Sequence, residues 1–275
     1  MPESFASAPR AAQGPRIPGA TLSVVVITLN EEHTLSRCLE RLDFATEIIV
    51  ADSGSTDGTL EVARRFTRHV VSVPWQGFGP TKQAALEQAT CTWVLSLDAD
   101  EVVDDELAQA LRTVVSANDP RVAGYRINRR SNFLGTWMRH SGWYPDWVTR
   151  VARRERVRFS EHAVHEQMLV EGPVEPLPGH LLHYTDPDWP HYLAKLTRYA
   201  DLSARALHAE GRRASVWDLT VRPAYQFVRT YVLQAGALDG RAGLVLACGS
   251  AFHVFSKYAR LWDLRREHSG VHSDG

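Results

Sequence analysis

Apolar residues in the first half of the chain occur in short, continuous runs that are separated by segments with helical periodicity. The runs Leu22–Thr28 and Glu47–Asp52 are rich in Val and Ile, which is typical of strands buried on both faces of a parallel sheet. Shorter runs predict three further strands, at 70–73, 92–98 and 123–129. The spacing between them predicts four helices, one that starts at Asn30 and others at 59–66, 81–89 and 104–117. Because strand and helix alternate, we expect right-handed crossovers and a mostly parallel sheet.

The regular pattern is lost between Ser131 and Trp147, where Gly, Trp, Tyr and Pro are frequent. A segment of this length without periodicity predicts a long loop, and long loops in compact domains usually act as lids or binding elements. Short apolar runs then predict strands at 149–153, 164–169 and 180–184. Short strands are therefore expected to resume after the loop.

From Trp189 onward the apolar spacing is helical and predicts three helices. The first helix carries a stripe formed by Leu193, Leu196, Ala200 and Leu207. The second is expected to begin at Pro223, because Pro is favoured in the first turn of a helix. The third carries apolar residues from Leu244 to Trp262. No run of eighteen apolar residues occurs, so a bilayer-spanning helix is not expected.

These patterns define the predicted architecture of the 275-residue chain. Residues 1–20, rich in Ala, Pro and Gly, are expected to form a disordered leader without the apolar region of a signal peptide. Residues 21–188 are expected to form an α/β domain of Rossmann-like type, a mostly parallel sheet flanked by helices. Residues 189–267 are expected to form a helical extension, and residues 268–275 a disordered tail.

Charge is distributed unevenly along the chain. The net charge of −1 gives no general nucleic-acid footprint, so nucleic acid is not expected as a partner. Residues 191–267 contain 12 Lys and Arg against 6 Asp and Glu, whereas the rest of the chain contains 19 against 26. A basic extension on a faintly acidic body predicts attraction to an anionic membrane surface or an anionic acceptor, and a merely solvated helical surface is an equal alternative.

The three cysteines, Cys38, Cys91 and Cys248, are odd in number and widely spaced. Such spacing fits neither a disulfide framework nor a zinc site. We therefore expect buried free thiols in a reducing compartment.

Polar clusters follow the predicted strands at their carboxyl ends. They are Thr28-Leu29-Asn30-Glu31, Asp52-Ser53-Gly54-Ser55, Asp98-Ala99-Asp100 and His165-Glu166. Strand ends converge in open α/β sheets, so these groups are expected to line one crevice. The first two clusters are candidates for binding the base and ribose of a nucleotide, with Asp52 the strongest. Asp98 would contact the ribose or a metal and Asp100 the metal, Mg²⁺ or Mn²⁺, although helix-capping or turn acids are the alternative interpretation.

Four stretches, in order, are similar to family 2 glycosyltransferases of the GT-A fold. They are LSVVVITLNEE, EIIVADSGSTDGT, FGPTKQAALEQA and WVLSLDADE, all within residues 22–105. Later stretches resemble bacterial lipopolysaccharide core β-1,4-glucosyltransferases, namely DWVTRVARR, VHE, KLTRYA and RTYVLQAGALDGRAG. The resemblance therefore covers nearly the whole chain beyond residue 20.

The resemblance implies an inverting reaction in which a carboxylate takes the proton of the acceptor hydroxyl. Glu166, in Val164-His165-Glu166, is the expected base, with Glu161 and Asp146 as alternatives. A downstream histidine often completes the metal shell in this fold, and His183 fits that position, with His165 and His180 as alternatives. Lys82 matches the family position that faces the nucleotide sugar.

The implied function is transfer of a sugar, with glucose expected, from a UDP-sugar to a lipid-linked saccharide of the lipopolysaccharide inner core. The expected location is cytoplasmic, peripheral on the inner face of the cell membrane. A polyprenyl phosphate or another envelope glycan is the alternative acceptor. A sugar-phosphate nucleotidylyltransferase is disfavoured because Asn30-Glu31-Glu32 replaces a Gly-rich phosphate loop. A non-catalytic sugar-binding protein is disfavoured by the intact Asp98, Asp100 and Glu166.

Overall fold

The computed structural model describes residues 19–160 and 167–268. The chain forms two compact units. The first contains the described residues up to Arg129 together with Asp146–His183, and the second contains Arg130–Pro145 together with the described residues from Tyr184 onward. The expected disordered leader and tail lie outside the described residues, apart from residues 19–20 and 268.

The first unit begins with four strands that alternate with three helices. In chain order these are β1 Leu22–Thr28, α1 Leu35–Leu39, β2 Glu47–Asp52, α2 Thr59–Phe66, β3 His69–Ser72, α3 Phe78–Leu86 and β4 Trp93–Asp98. The four strands are parallel in the order β3-β2-β1-β4. Every residue of β1 is buried, because a hydrophobic cluster covers each face of the sheet. This two-sided burial explains the uninterrupted apolar run in β1.

The remaining strands extend this sheet mainly through antiparallel pairs. They and one further helix are β5 Glu101–Val103, α4 Asp105–Ala117, β6 Gly124–Phe133, β7 Thr136–Trp137, β8 Asp146–Arg153, β9 Val157–Phe159, β10 Met168–Val170 and β11 Val174–Asp186. The order continues from β4 through β8, β6 and β11 to β5. The β4–β8, β8–β6 and β11–β5 pairs are antiparallel, and β9 and β10 form a separate hairpin. The predicted α/β class is confirmed, with an antiparallel half that follows the last crossover helix.

The segment predicted as a long loop contains regular structure. β6 extends to Phe133, and β7 pairs with it across a two-residue turn at Leu134 and Gly135, both of which have positive φ. Two positive φ angles are typical of the tight turns that match the twist of paired strands. The usual Asn-Gly signal is absent, which is why the sequence pattern did not predict this hairpin.

The second unit is mainly helical. Its helices are α5 Trp189–Ala209, α6 Val216–Val228 and α7 Gly240–His268, with a π-helical turn at Arg229–Leu233 and a 3₁₀ turn at Gly236–Asp239 between the last two. The prediction that the second helix begins at Pro223 is wrong. α6 begins after Ser215, which forms a capping box with Asp218, and Pro223 lies inside the helix. Within the described residues, no helix combines the length and apolar character needed to cross a membrane.

The buried stripe of α5 is formed by Tyr192, Leu196, Ala200 and Ala204. The predicted stripe is therefore shifted, since Leu193 and Leu207 are only partly buried. Tyr192 packs edge-on against Phe133, with ring centroids 4.9 Å apart. Burial raises the pKa of Tyr192 to about 12. Its phenol is therefore part of the core of this unit.

The cysteine prediction holds for two of the three residues. Cys38 and Cys91 are buried, and burial raises the pKa of the Cys38 thiol. Cys248 is exposed on α7, so the expectation that all three thiols are buried is wrong.

Candidate active site

The ends of three parallel strands bring polar side chains together in the first unit. Thr28 is level with Asp52 across the β1–β2 pair, and Ile27 is level with Asp98 across the β1–β4 pair. Thr28, Asp52 and Asp98 therefore lie at the same edge of the sheet, the carboxyl edge, where open α/β folds bind ligands.

Thr28 and Asp52 differ in the hydrogen bonds that they make at this edge. The Thr28 hydroxyl is buried and has no hydrogen-bond partner among the described residues, although buried polar groups are normally bonded. Asp52 is also buried, and its Oδ2 accepts hydrogen bonds from the N–H groups of Gly54 (2.9 Å) and Ser55 (3.0 Å). The Ser55 hydroxyl donates to Asp52 Oδ1 at 2.5 Å. Asp52 thus fixes the loop after β2, and Thr28 retains a hydroxyl that could bond a ligand.

Asn30 and Glu31 connect the loops that follow β1 and β2. Asn30 has φ of 57°, a left-handed conformation that Asn tolerates better than most residues. Its N–H donates to Ser55 Oγ, and its Oδ1 accepts from the Thr56 N–H, both at 2.8 Å. The Glu31 N–H donates to Thr59 Oγ1 at 2.7 Å, and its carboxylate accepts a hydrogen bond from the Thr34 hydroxyl. These contacts hold the two loops beside each other.

Asp98 is held between two cations. Lys82 Nζ lies 2.8 Å from Asp98 Oδ1, and Arg150 Nη2 lies 2.9 Å from Asp98 Oδ2. Lys82 is only 1% exposed, and lysine is rarely buried to this extent without an ionic partner. Burial acts to raise the pKa of Asp98, but the charges of Lys82 and Arg150 outweigh it and hold that pKa well below its usual range. Asp98 is therefore an anion at neutral pH.

Glu101 extends this ionic network into the protein. The residue is fully buried, its Oε1 accepts from Arg150 Nη2 at 2.7 Å, and its Oε2 accepts from the Asp98 N–H at 3.0 Å. Arg129 Nη1 lies 3.6 Å from Glu101 Oε1, and Arg129 Nη2 lies 2.8 Å from Asp146 Oδ2. Positive and negative groups alternate from Lys82 to Asp146. Sequence reasoning did not identify Glu101 or Arg150, although both stand in stretches that carry the family resemblance.

Asp100 has a different partner. Its Oδ2 lies 3.2 Å from His183 Nε2, because the β5–β11 pairing sets His183 opposite Glu101, the residue next to Asp100. His180 has a carboxylate partner of its own. Its Nδ1 lies 3.3 Å from Asp104 Oδ2, at the start of α4. Asp100 and His183 thus form one carboxylate–imidazole pair beside the cation-bound Asp98.

The chemistry of this pair fits a divalent cation that binds together with a diphosphate. No cluster of three or more His, Cys, Asp or Glu suited to a metal occurs within residues 19–160 and 167–268. Mg²⁺ commonly uses one or two carboxylates, with waters and substrate phosphates as its remaining ligands. A cation held by Asp100 and His183 could take its other ligands from water and from the phosphates of a substrate.

Of the three candidate bases, Asp146 lies in the part of the chain that the structure describes. Glu166 and Glu161, as well as His165, lie outside the described residues. Asp146 begins β8 and accepts hydrogen bonds from the Arg129 guanidinium, with Nε at 2.8 Å from its Oδ2. Asp146 is thus engaged with a cation, and the assignment of the base to Glu166 stays a prediction.

Similarity to known proteins defines the class to which this fold and site belong. Residues 23–168 match the family described as Glycosyl transferase family 2. The chain belongs to this family and is a glycosyltransferase. The lipopolysaccharide core biosynthesis glycosyltransferase LpsC of Rhizobium meliloti (strain 1021) is 31% identical over 258 residues, which cover 90% of this chain and 93% of LpsC. The GT-A fold predicted from the sequence agrees with this membership and with the α/β sheet.

Two solved structures are also similar. The mannosyltransferase PcManGT of Pyrobaculum calidifontis, in complex with GDP-Man and Mn²⁺, is 16% identical, with a TM-score of 0.49 and coverage of 95% of this chain and 91% of that chain. Glucosyl-3-phosphoglycerate synthase of Mycobacterium tuberculosis, in complex with Mg²⁺ and UDP, is 20% identical, with a TM-score of 0.43 and coverage of 72% and 82%.

Proposed function

We propose that this glycosyltransferase moves a hexose, glucose in the first instance, from a UDP-sugar to a lipid-linked saccharide of the lipopolysaccharide core. The observation that carries the proposal is the contrast between two neighbouring carboxylates. Asp98 is neutralised by Lys82 and Arg150, whereas Asp100 pairs with His183. Such a division suits a donor site in which one acid positions the nucleotide sugar and the other binds a cation. The name of the LpsC relative supports the choice of acceptor.

The nucleotide would bind at the carboxyl edge of β1, β2 and β4. Thr28 offers a buried hydroxyl, and Asp52 retains lone pairs beyond those used by its loop. Asn30 and Glu31 would form one wall of the base and ribose pocket, because their loop is fixed to the loop after β2. Asp98 would accept from a ribose hydroxyl, and Lys82 would keep Asp98 oriented towards it. Hydrogen bonds within the two loops hold Asn30, Glu31 and Asp52 in place for these roles.

Asp100 and His183 would hold a Mg²⁺ or Mn²⁺ ion. The cation would supply positive charge to the diphosphate as the bond to the sugar breaks. Asp98 is less suited to this role, because two cations already compensate its charge. Asp100 pairs with His183 instead, and a neutral imidazole can ligate a metal.

The proposed reaction is a single in-line displacement. The acceptor hydroxyl oxygen forms a bond to the anomeric carbon of the sugar while the bond from that carbon to the diphosphate oxygen breaks. The hydroxyl proton passes to the Glu166 carboxylate, and the electron pair of the broken bond leaves with the nucleoside diphosphate. Attack from the side opposite the leaving group inverts the configuration of the anomeric carbon.

The proposed location is the cytoplasmic face of the cell membrane. A lipid-linked acceptor stays in the bilayer, so the enzyme has to meet it at the surface. The excess of Lys and Arg over Asp and Glu in residues 191–267 supports contact with an anionic membrane.

A panel of nucleotide sugars tests the donor. UDP-glucose, UDP-galactose, GDP-mannose and dTDP-glucose are each added with Mg²⁺ or Mn²⁺, and both the midpoint of thermal unfolding and sugar release are measured. A ligand that binds only the folded state raises this midpoint. We expect UDP-glucose to give the largest rise, and EDTA to abolish it. A larger rise with GDP-mannose or dTDP-glucose, or no effect of EDTA, would contradict the proposed donor or the proposed metal, respectively.

A further inference from the structure

The second unit exposes a group of large apolar side chains on α6 and the turns that follow it. They are Val216, Trp217, Val221, Tyr225, Val228, Val232, Leu233 and Leu238. Trp217 is 63% exposed and Leu238 72%. No residue of α6 is buried. Soluble proteins seldom leave a contiguous apolar surface uncovered, so this region is a candidate for contact with a partner.

Four of these exposed residues share one side of α6. Trp217, Val221, Tyr225 and Val228 are spaced by four, four and three residues, which aligns them along a helix. We call these four residues the α6 stripe. A different set of side chains attaches α6 to its own unit. Leu219 packs against the cluster of Ala204, Tyr258, Leu261 and Leu264. The α6 stripe is thus left over after α6 has made its packing contacts.

Not every aromatic side chain of the second unit belongs to this surface. Tyr192 is buried in the core, and Phe227 is partly buried and stacks on Tyr231 with ring centroids 5.4 Å apart. Trp217 and Tyr225, which the sequence pattern did not single out, are exposed instead. Their rings are the kind that favour the interface between water and lipid.

The charge beside the α6 stripe is positive. Residues 211–241 contain five arginines and two acids, Asp218 and Asp239. Both acids are engaged within the protein. Asp218 belongs to the capping box of α6 and accepts from Arg222 Nε at 2.5 Å. Asp239 is 4% exposed and accepts from the hydroxyl of Ser141 at 2.9 Å.

The arginines, in contrast, are available to solvent. Arg212, Arg213, Arg229 and Arg241 are exposed and form no ion pair with any residue within 19–160 and 167–268. Within residues 211–241, the exposed charged side chains are therefore arginines. A surface that combines exposed aromatic residues with arginine is complementary to anionic lipid head groups and the apolar layer beneath them.

We infer that the α6 stripe and the arginines beside it form the surface by which this protein contacts an anionic lipid bilayer. A second copy of the chain is a poorer fit, because a two-fold contact would bring the same arginines together. The inference rests on the proposed function in one respect, since the lipid-linked acceptor is the reason for the enzyme to contact a membrane. The surface itself follows from exposure and charge.

Flotation of the full-length protein with vesicles tests this inference. The vesicles contain phosphatidylcholine alone or mixed with phosphatidylglycerol, at low and at high salt. We expect the wild-type protein to float with the anionic vesicles at low salt and to be released by high salt or by neutral vesicles. The double variant Trp217→Ser/Tyr225→Ser is expected to lose at least about tenfold in binding, because it removes the aromatic groups of the stripe. Arg212→Gln/Arg213→Gln is expected to lose about tenfold or more, as each cation near the membrane contributes to binding.

Trp262→Ser is the matched control. It also removes an exposed tryptophan, one on α7 outside the α6 stripe, and should float as the wild type does. The midpoint of thermal unfolding is measured for each variant, so that loss of folding is recognised. Failure of the wild-type protein to float, or unchanged flotation of both double variants, would overturn the inference. So would a stable dimer in gel filtration that the Trp217→Ser/Tyr225→Ser variant converts to a monomer without any vesicle binding.

Sugar release from UDP-glucose, measured without vesicles, separates this inference from the proposed function. The α6 variants are expected to retain wild-type release, because none of the residues assigned to the donor site belongs to α6. Normal flotation with no release from any nucleotide sugar would contradict the proposed function and leave the membrane surface supported. If release is normal and the α6 variants float as the wild type does, the membrane surface alone is contradicted.

Discussion

At the scale of single residues, Asp98 and Asp100 stand two positions apart but have different partners. Asp98 lies between Lys82 and Arg150, and its charge is compensated before any ligand arrives. Asp100 pairs with His183, and imidazole is a common metal ligand. The sequence shows only the spacing of the two carboxylates. Their different partners supply the reason to give them different roles.

Replacing Asp100 with Asn tests the proposed metal role. The amide keeps the size of the side chain but carries no charge to hold a cation. Removing a residue that only hydrogen-bonds to a metal ligand typically lowers metal affinity or activity by about 10- to 100-fold. Loss of a ligand itself should therefore lower metal-dependent sugar release by at least about a hundredfold. Titration with Mn²⁺ measures the effect. Asp105→Asn, at a carboxylate that is 89% exposed on α4, is the control. Near-normal turnover of Asp100→Asn would show that the metal is held elsewhere.

Replacing Glu166 with Gln tests the proposed base. A general base typically contributes about 10²- to 10⁴-fold, so turnover should fall by that amount. Donor affinity should change little, because the carboxylate would face the acceptor. Single-turnover transfer and donor titration measure the two quantities. Glu161→Gln and Asp146→Asn are examined in parallel. A greater loss of turnover in Asp146→Asn, with intact donor binding, would move the base to the start of β8.

Several residues of the site could be identified from the sequence alone, and others could not. Asp98 and Asp100 stand at the end of an apolar strand, and that position is readable because it is local. Arg150 reaches Asp98 from 52 positions away, through the antiparallel pairing of β8 with β4. No local pattern specifies that register, so the cations around Asp98 could not be derived from spacing.

At the scale of helices and strands, predictions succeeded where one element buried a continuous apolar run. β1 has the bounds that its composition predicts, because both of its faces are buried. β5 was missed, since three residues give too short a pattern to distinguish a strand from the acids that precede it. The start of α6 was also missed. The capping residues Ser215 and Asp218 determine that start, whereas Pro223 lies inside the helix despite its preference for the first turn.

Gly249 of α7 provides a test of the packing between α5 and α7. A Cβ at this position would lie 2.7 Å from Cε1 and 2.9 Å from Cζ of the buried Tyr192 ring. In an open helix Ala is more stable than Gly by about 1 kcal/mol, but overpacking a core costs about 1–3 kcal/mol. We expect Gly249→Ala to lower the free energy of unfolding, as measured in urea. The neighbouring Ser250→Ala should change it by less than about 0.5 kcal/mol. Stabilisation by Gly249→Ala would contradict the close packing.

At the scale of the whole molecule, the chain forms two compact units whose sequences are interleaved. Residues 130–145 belong with the C-terminal helices, partly because Asp239 accepts a hydrogen bond from Ser141, 98 positions earlier. The spacing of apolar residues could indicate the α/β fold and the helical extension, because that spacing differs between strands and helices. It could not assign 130–145 to the second unit, since that depends on contacts between distant residues. The uneven charge of the chain was visible in the sequence, but the exposure of Trp217 and Tyr225 was not.

We propose that the enzyme transfers a hexose from a UDP-sugar to a lipid-linked saccharide with inversion. The direct measurement uses UDP-glucose labelled with ¹³C, a lipopolysaccharide core acceptor and Mg²⁺ or Mn²⁺. Mass spectrometry detects the transferred sugar, and NMR identifies the configuration of the new bond. We predict addition of one hexose with a β linkage, formed from the α-linked donor and abolished by EDTA. Transfer with an α linkage, transfer that is unchanged in EDTA, or no transfer to this acceptor would contradict the account.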